Sequence, residues 1–242
     1  MNPVEGILFD FGGTLFDYSP TNGEIWAQVV GHFGKEIEPN DPTLLQALAA
    51  QTAAYDQLML TSSFKLASNI PEAEWRKLNA VTLSAIGIND PQAITVAQEA
   101  FAAREGGYTI FPDTIQTLNE LKQLGKHIGL VSNSTPKGAA GRRPILQQHG
   151  ILSCFETIVL SSEVGVAKPD REIFEIALRA MNLKNSQRVW HIGDDFIADV
   201  LGAKKAGITP VLLDPAGLRK VEEVCIRSLS EIVPLVREFE ES

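Results

Sequence analysis

The chain has 242 residues, 44% hydrophobic and 21% charged, with a formal net charge of -9; the length supports a large core and exceeds one typical domain, and the acidic balance argues against a nucleic-acid or anionic-membrane partner. No apolar run approaches the ~20 residues of a membrane span, the opening MNPVEG lacks a basic and apolar signal sequence, and the two cysteines, Cys154 and Cys225, make no disulfide framework. A soluble protein of the reducing cytoplasm is expected, monomer or homodimer, acting on a small molecule.

Residues 4–10, VEGILFD, are a mostly apolar run that ends on Asp10. A run of that kind predicts a strand buried on both faces, as in a parallel sheet. From about Ser19 to Tyr108 the texture is helical. Residues 44–60, 72–87 and 91–104 read as helices, and Asp41-Pro42 and Asp90-Pro91 each set a capping carboxylate before a proline suited to the first turn. A bundle of four or so helices is expected there. After Tyr108 helices and strands alternate: helix 113–125, strand 127–133, a short helix at RPILQQHGI, strand 157–161, helix 171–183, strand 188–194, helix 197–207, strand 209–214 and a closing helix at SLSEIVPLVREFEE. Such alternation implies right-handed crossovers and a parallel sheet. The expected fold is therefore α/β, a doubly wound parallel sheet, with core residues 1–18 and 109–242 and an all-helical insert at 19–108.

In open parallel sheets ligands bind beyond the carboxyl ends of the strands. Asp10, Ser132, Asn133, Lys168, Asp194 and Asp195 fall there, with Asp199 one helical turn on. Carboxylates, one lysine and hydroxyl or amide groups suit a divalent cation with a phosphate, since Mg²⁺ prefers a few carboxylates with water and phosphate oxygens. The stretches DFGGT (10–14), VSN (131–133), KPD (168–170) and GDDFIAD (193–199) resemble the four motifs of the haloacid dehalogenase superfamily of hydrolases, in the family's order and each at a strand end. The resemblance spans the core, and the helical insert matches the family's cap domain in position.

The resemblance implies a Rossmann-like core and the following roles. Asp10 is the nucleophile that forms an aspartyl-phosphate; an ordinary aspartate, pKa about 3.9, is ionised at neutral pH and needs no base. The Gly12 carbonyl and Asp194 ligate Mg²⁺, and Asp195 and Asp199 support the metal shell. Thr14 and Ser132 hydrogen-bond the phosphoryl oxygens with Asn133 beside them, and Lys168 neutralises charge on Asp10 and the phosphoryl group. The family's phosphatases carry a second Asp where this chain has Gly12. That Asp protonates the leaving oxygen and then activates water, a contribution of about 10²–10⁴-fold. Its loss allows three outcomes: specialisation for good leaving groups such as acyl or aryl phosphates, a long-lived phosphoenzyme, or a weak enzyme turned to binding or regulation. Two branches without phosphatase activity also lack this Asp. The 2-haloacid dehalogenases need no metal, against which the GDDFIAD carboxylates argue; the phosphonatases use a cap lysine, and Lys35, Lys65 and Lys77 sit in no recognisable motif.

Simpler readings stand beside these. Asp170 reads as a helix N-cap, Asp195 equally as a solvated helix-start acid favoured by the dipole or a metal-shell acid, and His191 as a packed core residue. Asp17 is an acid near the turn with no assigned role. KGAAGRR (137–143) lacks the phosphate-loop pattern and reads as a mobile loop, with Arg142 and Arg143 as candidate substrate contacts. In the insert, Tyr55, Lys65 and Arg76 are candidate substrate contacts, and Trp26 and Trp75 read as helix packing.

Overall fold

The apolar run before Asp10 forms β1 (Gly6–Phe9), with every residue buried. A computed structural model describes residues 3–64, 66, 69–104, 107–219 and 221–241. Among these, β1 lies inside a six-stranded sheet. Its order is β5 (Thr157–Leu160), β4 (His127–Ser132), β1, β6 (Val189–Gly193), β7 (Thr209–Leu213), β8 (Cys225–Ile226). All neighbouring pairs are parallel; Phe9 stands opposite Leu130 on one side and Ile192 on the other. The chain leaves β1 toward β4 and leaves β6 toward β7, in opposite directions. This reversal opens a crevice beyond the carboxyl ends of β1 and β6.

Helices α5 (Thr114–Gln123), α6 (Pro136–Gln148), α7 (Ser161–Val164), α8 (Arg171–Ala180), α9 (Gly202–Lys205) and α10 (Ile232–Glu241) accompany the sheet. On α8, Ile173, Phe174, Ala177 and Leu178 make one apolar stripe, packed with Leu8, Val131 and Val189 of the strands. The expected helix at 197–207 is divided: Phe196–Leu201 is a π turn, and α9 follows.

The chain divides into two compact units, one of Met1–Phe16, Ile110–Pro215 and Val221–Ser242, the other of Asp17–Thr109 and Ala216–Lys220. The second is helical: α1 (Asn22–His32), α2 (Pro42–Thr61), α3 (Glu72–Ala85) and α4 (Ala93–Ala102). Thr21 and Glu24 close a capping box on α1, with bonds of 3.1 and 2.7 Å, and Asp41 accepts the Thr43 N–H at 2.7 Å ahead of Pro42. Asp90 behaves differently from its sequence reading. Its carboxylate takes the Gln92 N–H at 2.8 Å in a turn, and α4 starts only at Ala93. Leu218 packs on the helical core, and Arg219 Nε reaches Asp56 at 3.1 Å, which draws the late segment 216–220 into this unit.

Three strands escape the sequence reading. β2 (Phe16–Ser19) and β3 (Gly107–Ile110) pair as a two-stranded sheet, and β8 has two residues. β2 and β3 mix polar and apolar residues over four positions each, and β8 has too few residues, to show a period. The stretch KGAAGRR is not a loop but the first half of α6. Thr135 caps it by accepting the Gly138 N–H at 3.1 Å, Pro136 opens it, and burial of Ala139, Arg142 and Leu146 outweighs the poor helix propensity of Gly138 and Gly141. No helix among the described residues is long and apolar enough to cross a membrane, and Cys154 and Cys225 are free thiols.

Trp26 lies at the centre of the helical unit, fully buried among Leu44, Leu83 and Ala97, with Phe101 edge-on at 5.6 Å. Its indole N–H has no hydrogen-bond partner among the described residues. Trp26→Ala should therefore cost about 3–5 kcal/mol, while Trp26→Phe, which also removes an unsatisfied donor, should cost much less. Urea unfolding curves measure both, and equal losses would show that the donor carries no penalty.

Candidate active site

β1 ends by donating the Asp10 N–H to Ile192 O at 2.9 Å, so the ladder to β6 carries the carboxylate to the crevice. A tight turn follows, in which Leu15 and Phe16 N–H groups share Phe11 O, both at 3.0 Å, and Gly13 N–H reaches Phe16 O at 2.7 Å. Gly13 has φ +76, and a Cβ there would lie 2.2 Å from Asp194 Oδ2. Both its conformation and its neighbour require glycine. The same holds sterically at Gly193, where a Cβ would fall 2.1 Å from Asp199 Cγ. Two carboxylates thus occupy the room that two missing side chains leave.

Lys168 is buried at the middle of the site. Its Nζ donates to Asp10 Oδ1 and Asp199 Oδ1, each at 2.5 Å. Asn133 grips the Lys168 backbone on both sides: its Oδ1 accepts the Lys168 N–H at 2.9 Å and its Nδ2 donates to Lys168 O at 3.0 Å. Asp199 is bound at both oxygens, since Oδ1 also takes His191 Nε2 at 2.8 Å and Oδ2 accepts the Asp195 N–H at 3.0 Å. Asp195 Oδ1 caps the π turn by accepting the N–H groups of Ile197 and Ala198, both at 2.8 Å.

The electrostatics follow from burial and charge. Burial raises the Asp10 pKa, and Asp199 adds to the rise, while Lys168 opposes it. Burial raises Asp194 well above the carboxylate range, and the charges of Asp10, Asp199 and Asp195 push the same way. Burial also acts against the charged form of Asp199, but the charge of Lys168 and the His191 hydrogen bond outweigh it and hold the carboxyl below its ordinary range. For Lys168, burial is outweighed by Asp10 and Asp199, which keep it above the ordinary lysine range. Ligand oxygens of Asp10, Asp194 and Asp199 lie within 4.8 Å of one another. An all-oxygen donor set around an acid whose own charge is disfavoured fits Mg²⁺.

Several residues differ from their sequence-based expectations. Asn133, expected beside phosphoryl oxygens, orients Lys168. Asp195, readable as metal shell or solvated helix-start acid, instead uses its Oδ1 as the cap and lies outside the three-carboxylate cluster. Thr14 is fully buried and turned to Asp194 Oδ1 at 3.5 Å; Ser132, also buried, donates to Asn133 O at 3.3 Å; Gly12 is a buried bridge residue opposite Phe16. Asp170 is an N-cap, accepting the Glu172 N–H at 3.0 Å, as expected. His191 is buried, as expected, but its bond to Asp199 was missed; a polar ring two residues before Gly193, inside a strand otherwise apolar, was the available signal. Arg142 stacks on Phe11 with its guanidinium carbon 3.9 Å from the ring centroid, and Arg143 pairs with Glu163 at 2.5 Å. Asp17 belongs to the helical unit and accepts the Tyr18 N–H at 2.7 Å. In that unit Tyr55 stacks on Trp75, Arg76 donates to Gln98 at 2.5 Å, Lys35 donates to Ile86 O at 3.0 Å and Lys77 pairs with Glu74. Lys65 lies outside the described residues.

Comparison with known proteins places this geometry. Residues 4–207 match the family model of haloacid dehalogenase-like hydrolases. The chain is 28% identical over 240 residues to haloacid dehalogenase-like hydrolase domain-containing protein 3 of Danio rerio, covering 95% of each chain. It is 29% identical over 240 residues to glyceraldehyde 3-phosphate phosphatase of Methanocaldococcus jannaschii, covering 97% of each. Among solved structures, the HAD-hydrolase YfnB of Bacillus subtilis, bound to magnesium, superposes with a TM-score of 0.64 over 97% of this chain and 99% of its own, at 17% identity, a likeness of fold.

A raised carboxylate pKa means that the ionised form is disfavoured in the folded state, so above the unfolded pKa the charge lowers stability. Asp194→Asn should therefore raise the melting temperature at neutral pH without divalent cations and should remove any rise that Mg²⁺ brings to the parent protein. A fall in melting temperature, or an undiminished Mg²⁺ effect, would count against the crowded-carboxylate account. His191→Leu should cost about 1.5–3 kcal/mol, the value of a hydrogen bond to a charged group, measured by urea unfolding; a neutral result would make the ring a packing residue only.

Proposed function

Because the chain belongs to the haloacid dehalogenase-like hydrolases, we propose that it hydrolyses a small, soluble phosphorylated metabolite in the cytoplasm through an aspartyl-phosphate on Asp10. The observation that carries this reading is the buried Lys168 bridge between Asp10 and Asp199, beside Asp194. A full-length relative named as a phosphatase supports it. The helical unit is assigned the part of a cap that selects the substrate.

The Asp10 oxygen not bound by Lys168 attacks phosphorus. The bond from phosphorus to the leaving oxygen breaks, and its electron pair stays on that oxygen. Lys168 holds the other Asp10 oxygen still and balances the incoming charge, while the Thr14 and Ser132 hydroxyls donate to the phosphoryl oxygens. Asn133 and His191 act earlier in the chain of contacts, one fixing the Lys168 backbone and the other fixing Asp199. Asp10, Asp194 and the Gly12 carbonyl would hold Mg²⁺, with Asp199 and Asp195 behind them; bound there it neutralises the carboxylates and the phosphoryl group. Position 12 offers no acid, so the leaving oxygen takes its proton from water. In the second half a water molecule attacks phosphorus, loses its proton to solvent, and phosphate departs as Asp10 returns to a carboxylate. The first half therefore favours acyl or aryl phosphates, whose leaving groups need little protonation, while the second hydrolyses the same aspartyl-phosphate whatever the substrate.

Phosphate release from acetyl phosphate and p-nitrophenyl phosphate with Mg²⁺ tests the reading. Release that Asp10→Asn abolishes is expected. No release above that variant would favour a binding or regulatory protein, and halide release from a 2-haloacid in a chelator would favour a dehalogenase. Gly12→Asp should raise turnover of alkyl phosphates by about 10²–10⁴-fold and that of aryl phosphates less. An equal gain on both would sink the account of Gly12.

A further inference from the structure

The helical unit has a cavity of its own, about 570 Å³, walled by residues of α1, α2, α3 and α4. That is the size of a small-molecule site, and none of the groups gathered around Lys168 lines it. Its wall sets the rings of Trp75 and Phe101 among the amides of Asn22, Gln51 and Asn79, with Arg104 at the α4 end.

Asn79 is only 5% exposed. Its Oδ1 accepts Gln51 Nε2 at 3.1 Å, and its amide nitrogen has no partner among the described residues. That nitrogen is a donor open to a ligand in the cavity. Asn22 is exposed, and its Oδ1 accepts Arg104 Nη2 at 2.5 Å, which leaves its nitrogen as a second donor. The Arg104 guanidinium sits 5.2 Å from the Tyr18 ring and 5.4 Å from the Phe101 ring, and forms no ion pair with a carboxylate among the described residues. Burial works against its charge, with Asp17 near enough to oppose that only in part. Glu72, the one carboxylate of the wall, is turned to Gln98 at 3.4 Å. The uncommitted groups thus include two amide donors and one cation, in a cavity that the rings of Trp75 and Phe101 help to line. An anion that is flat and carries acceptors satisfies all three features.

We propose that this cavity is a binding site for a small planar carboxylate. Its carboxylate meets Arg104 and Asn22, its ring lies against Trp75 and Phe101, and an acceptor faces the Asn79 amide. The proposal rests on groups within the helical unit and not on the chemistry at Asp10.

Calorimetric titration of the full chain carrying Asp10→Asn, in saturating inorganic phosphate to occupy any anion site at Lys168, tests it without turnover. The probes are benzoate and nicotinate, each against its uncharged amide. At least one acid should bind about tenfold or more tighter than its amide, and Asn79→Leu and Arg104→Gln should each weaken that binding by about tenfold. Melting curves check that the variants fold; if Asn79→Leu does not, the half-buried Arg104→Gln carries the reading. No binding of either acid, equal binding of acid and amide, or binding unchanged in the folded variants would overturn the proposal. An active phosphatase that binds neither acid would leave the reading of Asp10 intact and refute only this one.

Discussion

One ammonium group between two buried carboxylates is the constraint around which the core is organised. Lys168, Asp10 and Asp199 are nearly removed from water, and burying such charges costs several kcal/mol per ion unless they meet at close range with their remaining lone pairs satisfied. The core meets that condition from three places in the chain, the ends of β1 and β6 and the segment before α8. Asn133 fixes the lysine backbone, and His191 with the Asp195 N–H saturates Asp199. The register of β1 against β4 and β6 matters because a one-residue slip would turn the residue after β1 to the opposite face.

The arrangement separates the carboxylates by role. Asp199 is saturated and held ionised, so it serves as a counterion. Asp10 keeps one oxygen out of the lysine's grip. Asp194, pressed against Gly13, has its charge disfavoured, so a bound cation would relieve it. The same sheet edge therefore offers a fixed anion, a carboxylate with one oxygen left open and a site with a standing demand for positive charge, set by environment rather than by residue type.

Much of this was legible in the sequence. Long apolar runs ending in polar residues located five strands of the sheet, and the four motifs named the residues at their ends. What escaped reading did so for physical reasons. β2, β3 and β8 carry too few residues to express a period. The first half of α6 has two glycines among small and basic residues, and only tertiary burial of Ala139 and Arg142 makes it helical. The roles of Asn133 and His191 depend on which partner a side chain meets across 35 and 8 residues of chain. Motif position alone suggested substrate for one and packing for the other.

The segment Ala216–Lys220 joins the helical unit although the chain reaches it after β7, with Leu218 in its apolar core and Arg219 on Asp56. During synthesis the four helices leave the ribosome more than a hundred residues before these last contacts exist. Domains tend to fold as units from the N-terminus onward, yet here the nascent bundle must wait for a segment beyond β7 to complete its core. A fragment ending after α4 would keep the helices and lose their closing contacts, so neither unit corresponds to a single excisable stretch of the gene.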